Sequence, residues 1–228
     1  MSKVNLLSPS ICAVIPVKSF REAKTRLAEF ISDSAREMLA RAMFKSVLKA
    51  VKGSRCLEKT FVVTSDFEVA SLSLAAGLEV IHDRLSSGQS DAVRQAAQLI
   101  DSMGKKSMLT FPADLPMLTS ADIDSLCNMQ PPVGSGVVIV PAANDGGTNA
   151  ILCAPPGCLE FHFGDKSYQK HISEARRRRL SISTAHQRGF SLDIDRPEDL
   201  LEFLDHHSSF EEFRFLLALD ADSSLKVR

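Results

Sequence analysis

Three aspartates occupy positions from which a carboxylate could bind a ligand. Asp114 lies in Pro112-Ala-Asp-Leu-Pro116, directly after the apolar run 108–111, while Asp193 and Asp195 are separated by one residue. Residues two apart in an extended segment project from the same side, so both carboxylates can face one point. Two carboxylates held this close repel each other unless a cation or a proton lies between them. Three carboxylates with no His/Cys cluster favour a hard cation such as Mg²⁺, bound together with substrate phosphates.

A simpler structural interpretation exists for two of these acids. Asp114 could cap its own turn, as aspartate often does. Asp195 is followed by Arg196-Pro197, which is typical of an N-cap and the first turn of a helix. Capping accounts for Asp195 but leaves Asp193 unexplained, so both interpretations stay open at this point.

Four basic residues follow the first apolar run, 11–15, within nine positions: Lys18, Arg21, Lys24 and Arg26. In nucleotide-binding α/β folds the loop after the first strand usually holds phosphates, which lysine and arginine neutralise. The loop is not a Walker loop, because it lacks glycine and the Gly-Lys-Ser/Thr sequence. A solvated basic loop is the alternative, but the position after the first strand favours phosphate binding.

A second candidate anion site lies further along the chain. Gly164 and Ser167 precede an amphipathic segment, so a helix start there would offer backbone N–H groups and a hydroxyl to an anion. A plain N-cap at Ser167 is the alternative.

The elements that position these residues form an α/β pattern. Buried strands alternate with amphipathic helices up to residue 118, which predicts a parallel sheet with right-handed crossovers. Ser34-x-x-Glu37 predicts a capping box at the start of the first long helix. Strands at 136–141 and 149–153, joined by a short loop that contains glycine, predict a hairpin and hence an antiparallel element in a mixed sheet.

Composition restricts the class of protein. The 228 residues suit one large α/β domain, and the net charge of −1 provides no field for a nucleic-acid backbone. No apolar run is long enough to span a bilayer, and no signal peptide is apparent. Five cysteines, an odd number without zinc spacing, predict free thiols and a cytoplasmic protein. We expect a polar leader over residues 1–10, a catalytic domain over 11–207, and a C-terminal helix and tail over 208–228.

The chain resembles the CofC/FbiD-type guanylyltransferases, which are 2-phospho-L-lactate or phosphoenolpyruvate guanylyltransferases of coenzyme F420 biosynthesis. The resemblance covers about residues 11–205. Pro-Ala-Asp-Leu-Pro is shared with many nucleotidyltransferases of GT-A-like fold, whereas the Asp-Gly-Gly-Thr-Asn and Leu-Asp-Ile-Asp motifs together are much more specific. The motifs that carry the resemblance, in chain order, are Pro16-Val-Lys18…Ala23-Lys-Thr-Arg-Leu27, Pro112-Ala-Asp-Leu-Pro116, Asp145-Gly-Gly-Thr-Asn149, Phe163-Gly-x-x-Ser167…His171 and Leu192-Asp-Ile-Asp195-x-Pro-Glu-Asp-Leu200.

This resemblance implies a three-layer αβα, Rossmann-like nucleotide-diphospho-sugar transferase (GT-A-like) fold with a mixed, mostly parallel sheet. It implies that GMP is joined from GTP to a small phospho-acid (2-phospho-L-lactate, phosphoenolpyruvate or 3-phosphoglycerate), with release of pyrophosphate. The implied catalytic and Mg²⁺-binding residues are Asp114, Asp193 and Asp195. The implied nucleotide-binding residues are Lys18, Lys24, Arg26 and Gly88. The implied residues for the acceptor phosphate are Thr148, Gly164 and Ser167.

One departure from the family pattern leaves the base open. The family usually has Gly-Leu-Asn-Ala-Ala where this chain has Gly88-Gln-Ser-Asp-Ala92, near the nucleoside. A related nucleotidyltransferase of molybdopterin-cytosine or sugar-phosphate type is therefore the alternative. A binding relative without turnover is disfavoured by the three intact aspartates. The sequence does not decide which phospho-acid is used, whether the protein is a homodimer, or what the 208–228 tail does.

Overall fold

A computed structural model describes residues 11–84, 87–131, 134–143, 146–207, 213 and 215–216. Its strands are β1 (Ile11–Pro16), β2 (Leu57–Thr64), β3 (Glu79–His82), β4 (Ser107–Thr110), β5 (Gly136–Pro141), β6 (Thr148–Ala154) and β7 (Ser181–Thr184). Its α-helices are α1 (Asp33–Gly53), α2 (Phe67–Ala75), α3 (Gln89–Ser102), α4 (Ser120–Cys127), α5 (Ser167–Arg177), α6 (Arg188–Ser191) and α7 (Pro197–His207). None of the helices in these ranges is long and apolar enough to cross a membrane.

The seven strands form one sheet in the order β3-β2-β1-β4-β6-β5-β7. β1 pairs in parallel with β2 and β4, β2 with β3, and β5 with β7. Only β6 runs against its neighbours, β4 and β5, within the described sheet. The mixed, mostly parallel sheet and the β5–β6 hairpin are therefore confirmed.

Helices cover both faces of the sheet, because the buried strands are apolar on both sides. Alternate residues of β1 show this: Ala13 and Ile15 pack with α1 and α4, whereas Cys12 and Val14 pack with α3 and α5. The αβα architecture expected from the sequence is confirmed.

The start of α1 differs from the prediction. The helix begins at Asp33, and the Oγ of Ser32 accepts a hydrogen bond from the backbone N–H of Ala35 at 3.3 Å. The predicted capping box at Ser34 was wrong because an equally suitable N-cap lies two residues earlier. The side chain of Glu37 is therefore free to accept from Arg41.

A third apolar cluster attaches the C-terminal region to the domain. Phe203 of α7 is fully buried against α1, and its ring meets that of Phe213 edge-on with 4.8 Å between centroids. Leu216 is buried in the same cluster. The expected leader over 1–10, and the tail over 208–228 apart from residues 213, 215 and 216, lie outside the described residues.

We expect Phe203→Ala to lower the free energy of unfolding by about 3–5 kcal/mol, because it removes a buried aromatic ring and leaves a cavity. Urea titration followed by circular dichroism measures the change. Leu201→Ala is the matched control, because Leu201 lies on the same helix but is 43% exposed, and it should change stability by about 0.5 kcal/mol or less. Equal stability of the two variants would contradict the packing described here.

Candidate active site

The strand directions bring several loops to one edge of the sheet. The carboxyl ends of β1 and β4 lie at this edge, together with the amino end of the reversed strand β6. The loop after β1 carries Lys24, the loop after β4 carries Asp114, and β6 begins at Thr148. In open α/β sheets this edge is where ligands bind.

Lys24 lies at the centre of the site. Its Nζ is 2.7 Å from Asp114 Oδ2 and 2.7 Å from Asp195 Oδ1, and its side chain is only 5% exposed. Burial favours the neutral amine, but the two carboxylates outweigh it and raise the pKa of Lys24. Burial likewise opposes ionisation of Asp195, yet Lys24 and then Arg26 hold the pKa of that carboxyl below its usual range. Arg26 Nη1 lies 3.4 Å from Asp195 Oδ2.

The capping interpretation of Asp195 is wrong in this structure. The carboxylate of Asp199 accepts hydrogen bonds from the backbone N–H groups of Asp195 (3.1 Å) and Arg196 (2.7 Å) ahead of α7. The side chain of Asp195 is thereby left to pair with Lys24.

Asp193 joins the same cluster through a different contact. Its Oδ1 accepts a hydrogen bond from Asn149 Nδ2 at 3.3 Å. Burial and the neighbouring charge of Asp114 raise the pKa of Asp193 to about 6, with a smaller contribution from Asp195. The structure therefore brings together all three aspartates singled out in the sequence.

Lys24 and Arg26 supply two positive charges against the three carboxylates of the cluster. Asp114 Oδ1 is buried without a hydrogen-bond partner, and Asp193 is repelled by the other two acids. Among the residues that the structure describes, no group of three His, Cys, Asp or Glu is already arranged as a metal site. Carboxylate oxygens are the ligands that a hard cation such as Mg²⁺ prefers, so Asp114, Asp193 and Asp195 are the residues that could hold one.

A cavity of about 450 Å³ is lined by Asp114 and Asp195 but not by Asp193, and its size is typical of small-molecule sites. The lining residues come mainly from the loop after β1, the start of α3 and the loop after β4. They include Lys18, Lys24, Gly88, Asp114 and Asp195. Arg26 is absent from the lining, and its 60% exposed side chain reaches Asp195 instead.

The three residues expected to hold the acceptor phosphate lie outside this cavity lining. Thr148 begins β6, Ser167 begins α5, and both are buried, while Gly164 adopts φ 109°, which favours glycine. The N–H of Ser167 donates to Gly164 O at 3.1 Å, and that of Tyr168 donates to Gly146 O at 3.2 Å. These two N–H groups already donate within the chain, so the hydroxyls of Thr148 and Ser167 are the stronger candidates for binding an anion.

The sequence patterns assigned no individual role to two residues that have structural roles at the site. Asn149 Nδ2 donates to Phe190 O at 2.8 Å and to Ser191 O at 3.3 Å, so it anchors the segment that ends in Asp193. His171 Nδ1 lies 3.0 Å from Thr148 Oγ1. Both residues belong to motifs of the family resemblance. The i, i+4 spacing of Ser167 and His171 indicates that they share one face of a helix, and this could have pointed to His171.

The chain has the nucleotide-diphospho-sugar transferase fold, and its family and named relatives make it a nucleotidyltransferase. A candidate nucleotide-diphospho-sugar transferase of Desulfovibrio desulfuricans G20 has a similar structure, with a TM-score of 0.74 at 19% identity over 95% of this chain and 97% of that protein. The family model "Guanylyl transferase CofC like" matches residues 11–227, and the chain belongs to this family.

Two named relatives agree with this assignment. The 2-phospho-L-lactate guanylyltransferase of Methanothermobacter thermautotrophicus is 35% identical over 195 residues, which cover 86% of this chain and 84% of that protein. The phosphoenolpyruvate guanylyltransferase of Rubrobacter xylanophilus is 35% identical over 196 residues, which cover 84% of this chain and 92% of that protein.

We expect His171 to make stability depend on pH. Burial, with smaller contributions from His162 and Lys170, lowers the pKa of His171 from 6.5 to about 4. Between these values the unfolded chain binds a proton that the folded chain does not. The contribution of His171 is therefore complete above pH 6.5 and falls as the pH is lowered towards 4, by roughly 2–3 kcal/mol at pH 4.5.

Urea unfolding at several pH values from 7.5 to 4.5 measures this effect. His171→Asn should show a shallower fall than the wild type, whereas His186→Gln, which changes an exposed imidazole that does not contribute to the pKa of His171, should follow the wild-type profile. Parallel profiles for wild type and His171→Asn would contradict a neutral, buried His171.

Proposed function

We propose that this protein transfers GMP from GTP to a small phospho-acid acceptor and releases pyrophosphate. Membership of the guanylyl transferase family supports the reaction class. The two relatives, a 2-phospho-L-lactate guanylyltransferase and a phosphoenolpyruvate guanylyltransferase, support the acceptor class. The observation that carries the proposal is the meeting of Lys24 with Asp114 and Asp195 beside a cavity of about 450 Å³. The family resemblance supports a role for this reaction in coenzyme F420 biosynthesis. Five free cysteines fit a reducing compartment, so we assign it to the cytoplasm.

The reaction brings two anions together. A phosphate oxygen of the acceptor attacks the α-phosphorus of GTP, the bond from that phosphorus to the bridging β-phosphate oxygen breaks, and its electron pair leaves with pyrophosphate. The attacking phosphate is already ionised near neutral pH, so no nucleophile from the protein is needed. The protein's contribution is to neutralise charge and to hold the reacting groups in line.

The basic residues of the loop after β1 supply the positive charge in this proposal. Lys18 lines the cavity and Lys24 lies at its boundary with the aspartates. Charge-assisted hydrogen bonds from such groups to phosphate are among the stronger polar contacts in proteins. Arg26, which is exposed and close to Asp195, is placed to reach a triphosphate from the solvent side.

Asp114, Asp193 and Asp195 would hold Mg²⁺. When bound, this ion polarises phosphoryl oxygens and neutralises the charge that develops on them. Lys24 pairs with two of the three carboxylates in this structure, and its single positive charge offsets only one of their two negative charges. With Mg²⁺ on these carboxylates, Lys24 would be able to share its charge with the triphosphate, which reconciles its present contacts with a role in nucleotide binding.

The proposal is tested by measuring pyrophosphate release from each of the four nucleoside triphosphates with Mg²⁺ and a panel of acceptors. We expect release only with GTP and a three-carbon phospho-acid. Preference for CTP, or for a sugar phosphate, would favour the alternative nucleotidyltransferase. Binding of GTP without release with any acceptor would favour a relative that binds but does not turn over.

We expect Asp193→Asn to abolish turnover and to weaken Mn²⁺ binding in the presence of a non-hydrolysable GTP analogue, because it removes one ligand charge without changing volume. Electron paramagnetic resonance measures the bound Mn²⁺ directly, independently of activity. Asp205→Asn, which alters an exposed acid of α7, is the control and should bind Mn²⁺ as the wild type does. Wild-type Mn²⁺ affinity in Asp193→Asn would exclude Asp193 as a ligand.

A further inference from the structure

His171 is buried in α5, next to Thr148, which is one of the residues expected to hold the acceptor phosphate. It is 0% exposed, and the ring of Phe163 packs edge-on against it with 5.1 Å between centroids. The imidazole lies one helical turn after Ser167, so both side chains are on the same face of α5. Its low pKa, about 4 because of burial, keeps it neutral near pH 7.

The contacts of His171 fix which ring nitrogen carries the proton. Its Nε2 lies 2.9 Å from the backbone N–H of His162. A backbone N–H can only donate, so Nε2 must present its lone pair. In a neutral imidazole the proton then resides on Nδ1.

This tautomer determines the direction of the next hydrogen bond. Nδ1 is 3.0 Å from Thr148 Oγ1, and since Nδ1 is protonated it donates to that oxygen. The hydroxyl of Thr148 accepts from His171, so its own hydrogen has to be donated to another group. Hydrogen bonds in such a chain polarise one another, which strengthens the terminal donor.

We propose that His171 is a positioning residue for the acceptor phosphate, because it holds the Thr148 hydroxyl as an obligatory hydrogen-bond donor. The inference rests on the proposed function and on the acceptor-phosphate role that the family resemblance implies for Thr148. A hydroxyl free to rotate loses part of its binding energy in being ordered, whereas one already committed as a donor does not.

The experiment compares His171→Leu, His171→Asn, Thr148→Val and the double variant Thr148→Val/His171→Leu. We expect His171→Leu to raise the KM of the phospho-acid about tenfold and to leave the KM of GTP unchanged, since one hydrogen bond to a charged group is worth about that factor or more. His171→Asn retains an amide N–H donor near the position of Nδ1, so its phospho-acid KM should be close to that of the wild type. The phospho-acid KM of the double variant should be no higher than that of Thr148→Val, because His171 acts through the Thr148 hydroxyl.

The control is His162→Gln, which retains the backbone donor to Nε2 while changing an exposed side chain. It should have wild-type KM values for both substrates. ¹⁵N NMR of the imidazole in the wild type should report a protonated Nδ1 and an unprotonated Nε2, a readout that a purely structural role would not require.

The failures of the two proposals are distinguishable. If the wild type releases no pyrophosphate with any phospho-acid, the proposed function is wrong. The proposed function stands, but the role of His171 is wrong, if the wild type is active and His171→Leu leaves the acceptor KM unchanged or raises both KM values equally. The same conclusion holds if the double variant has a higher acceptor KM than Thr148→Val. A protonated Nε2 would also overturn the role of His171.

Discussion

The ammonium group of Lys24 connects three parts of the chain that are far apart in sequence. Asp114 is 90 residues from Lys24 and Asp195 is 171 residues away, yet both lie 2.7 Å from its Nζ. Removing an ammonium from water costs several kcal/mol, which is offset only when carboxylates with good geometry receive it. With the Lys24 side chain 5% exposed, the loops after β1 and β4 and the segment ahead of α7 must keep their relative positions. The site therefore depends on the sheet, which sets the distances between these loops.

The reversed direction of β6 allows one strand to serve two functions at the site. Its amino end reaches the edge at which its parallel neighbours end. Successive residues of a strand point to opposite faces: Thr148 faces His171 and α5, whereas Asn149 faces the segment that carries Asp193. A parallel strand at this position would present its carboxyl end here instead. The hairpin thus couples the candidate acceptor site to the carboxylate cluster through adjacent residues.

Sequence reasoning predicted the elements and the three acids but not their partners. The position of Asp114 follows from strand order, and the shared side of Asp193 and Asp195 follows from the two-residue period of extended chain. The Lys24 contacts could not be predicted, because a lysine after β1 suits a carboxylate as well as a phosphate. For His171 the sequence indicated only the face of α5 that it shares with Ser167, because its role depends on a proton position that its two hydrogen-bond partners determine.

The segment 88–92, where the chain departs from the family pattern, has separable roles. Ser90 Oγ accepts a hydrogen bond from the Phe163 N–H at 2.9 Å and thus connects the start of α3 to the segment that precedes α5. Asp91 pairs with Arg94 on the same helix. The residues of the segment that line the cavity are Gly88, Gln89 and Ala92. Gly88 and Ala92 match the family pattern, so Gln89 is the position at which this departure alters the cavity lining directly.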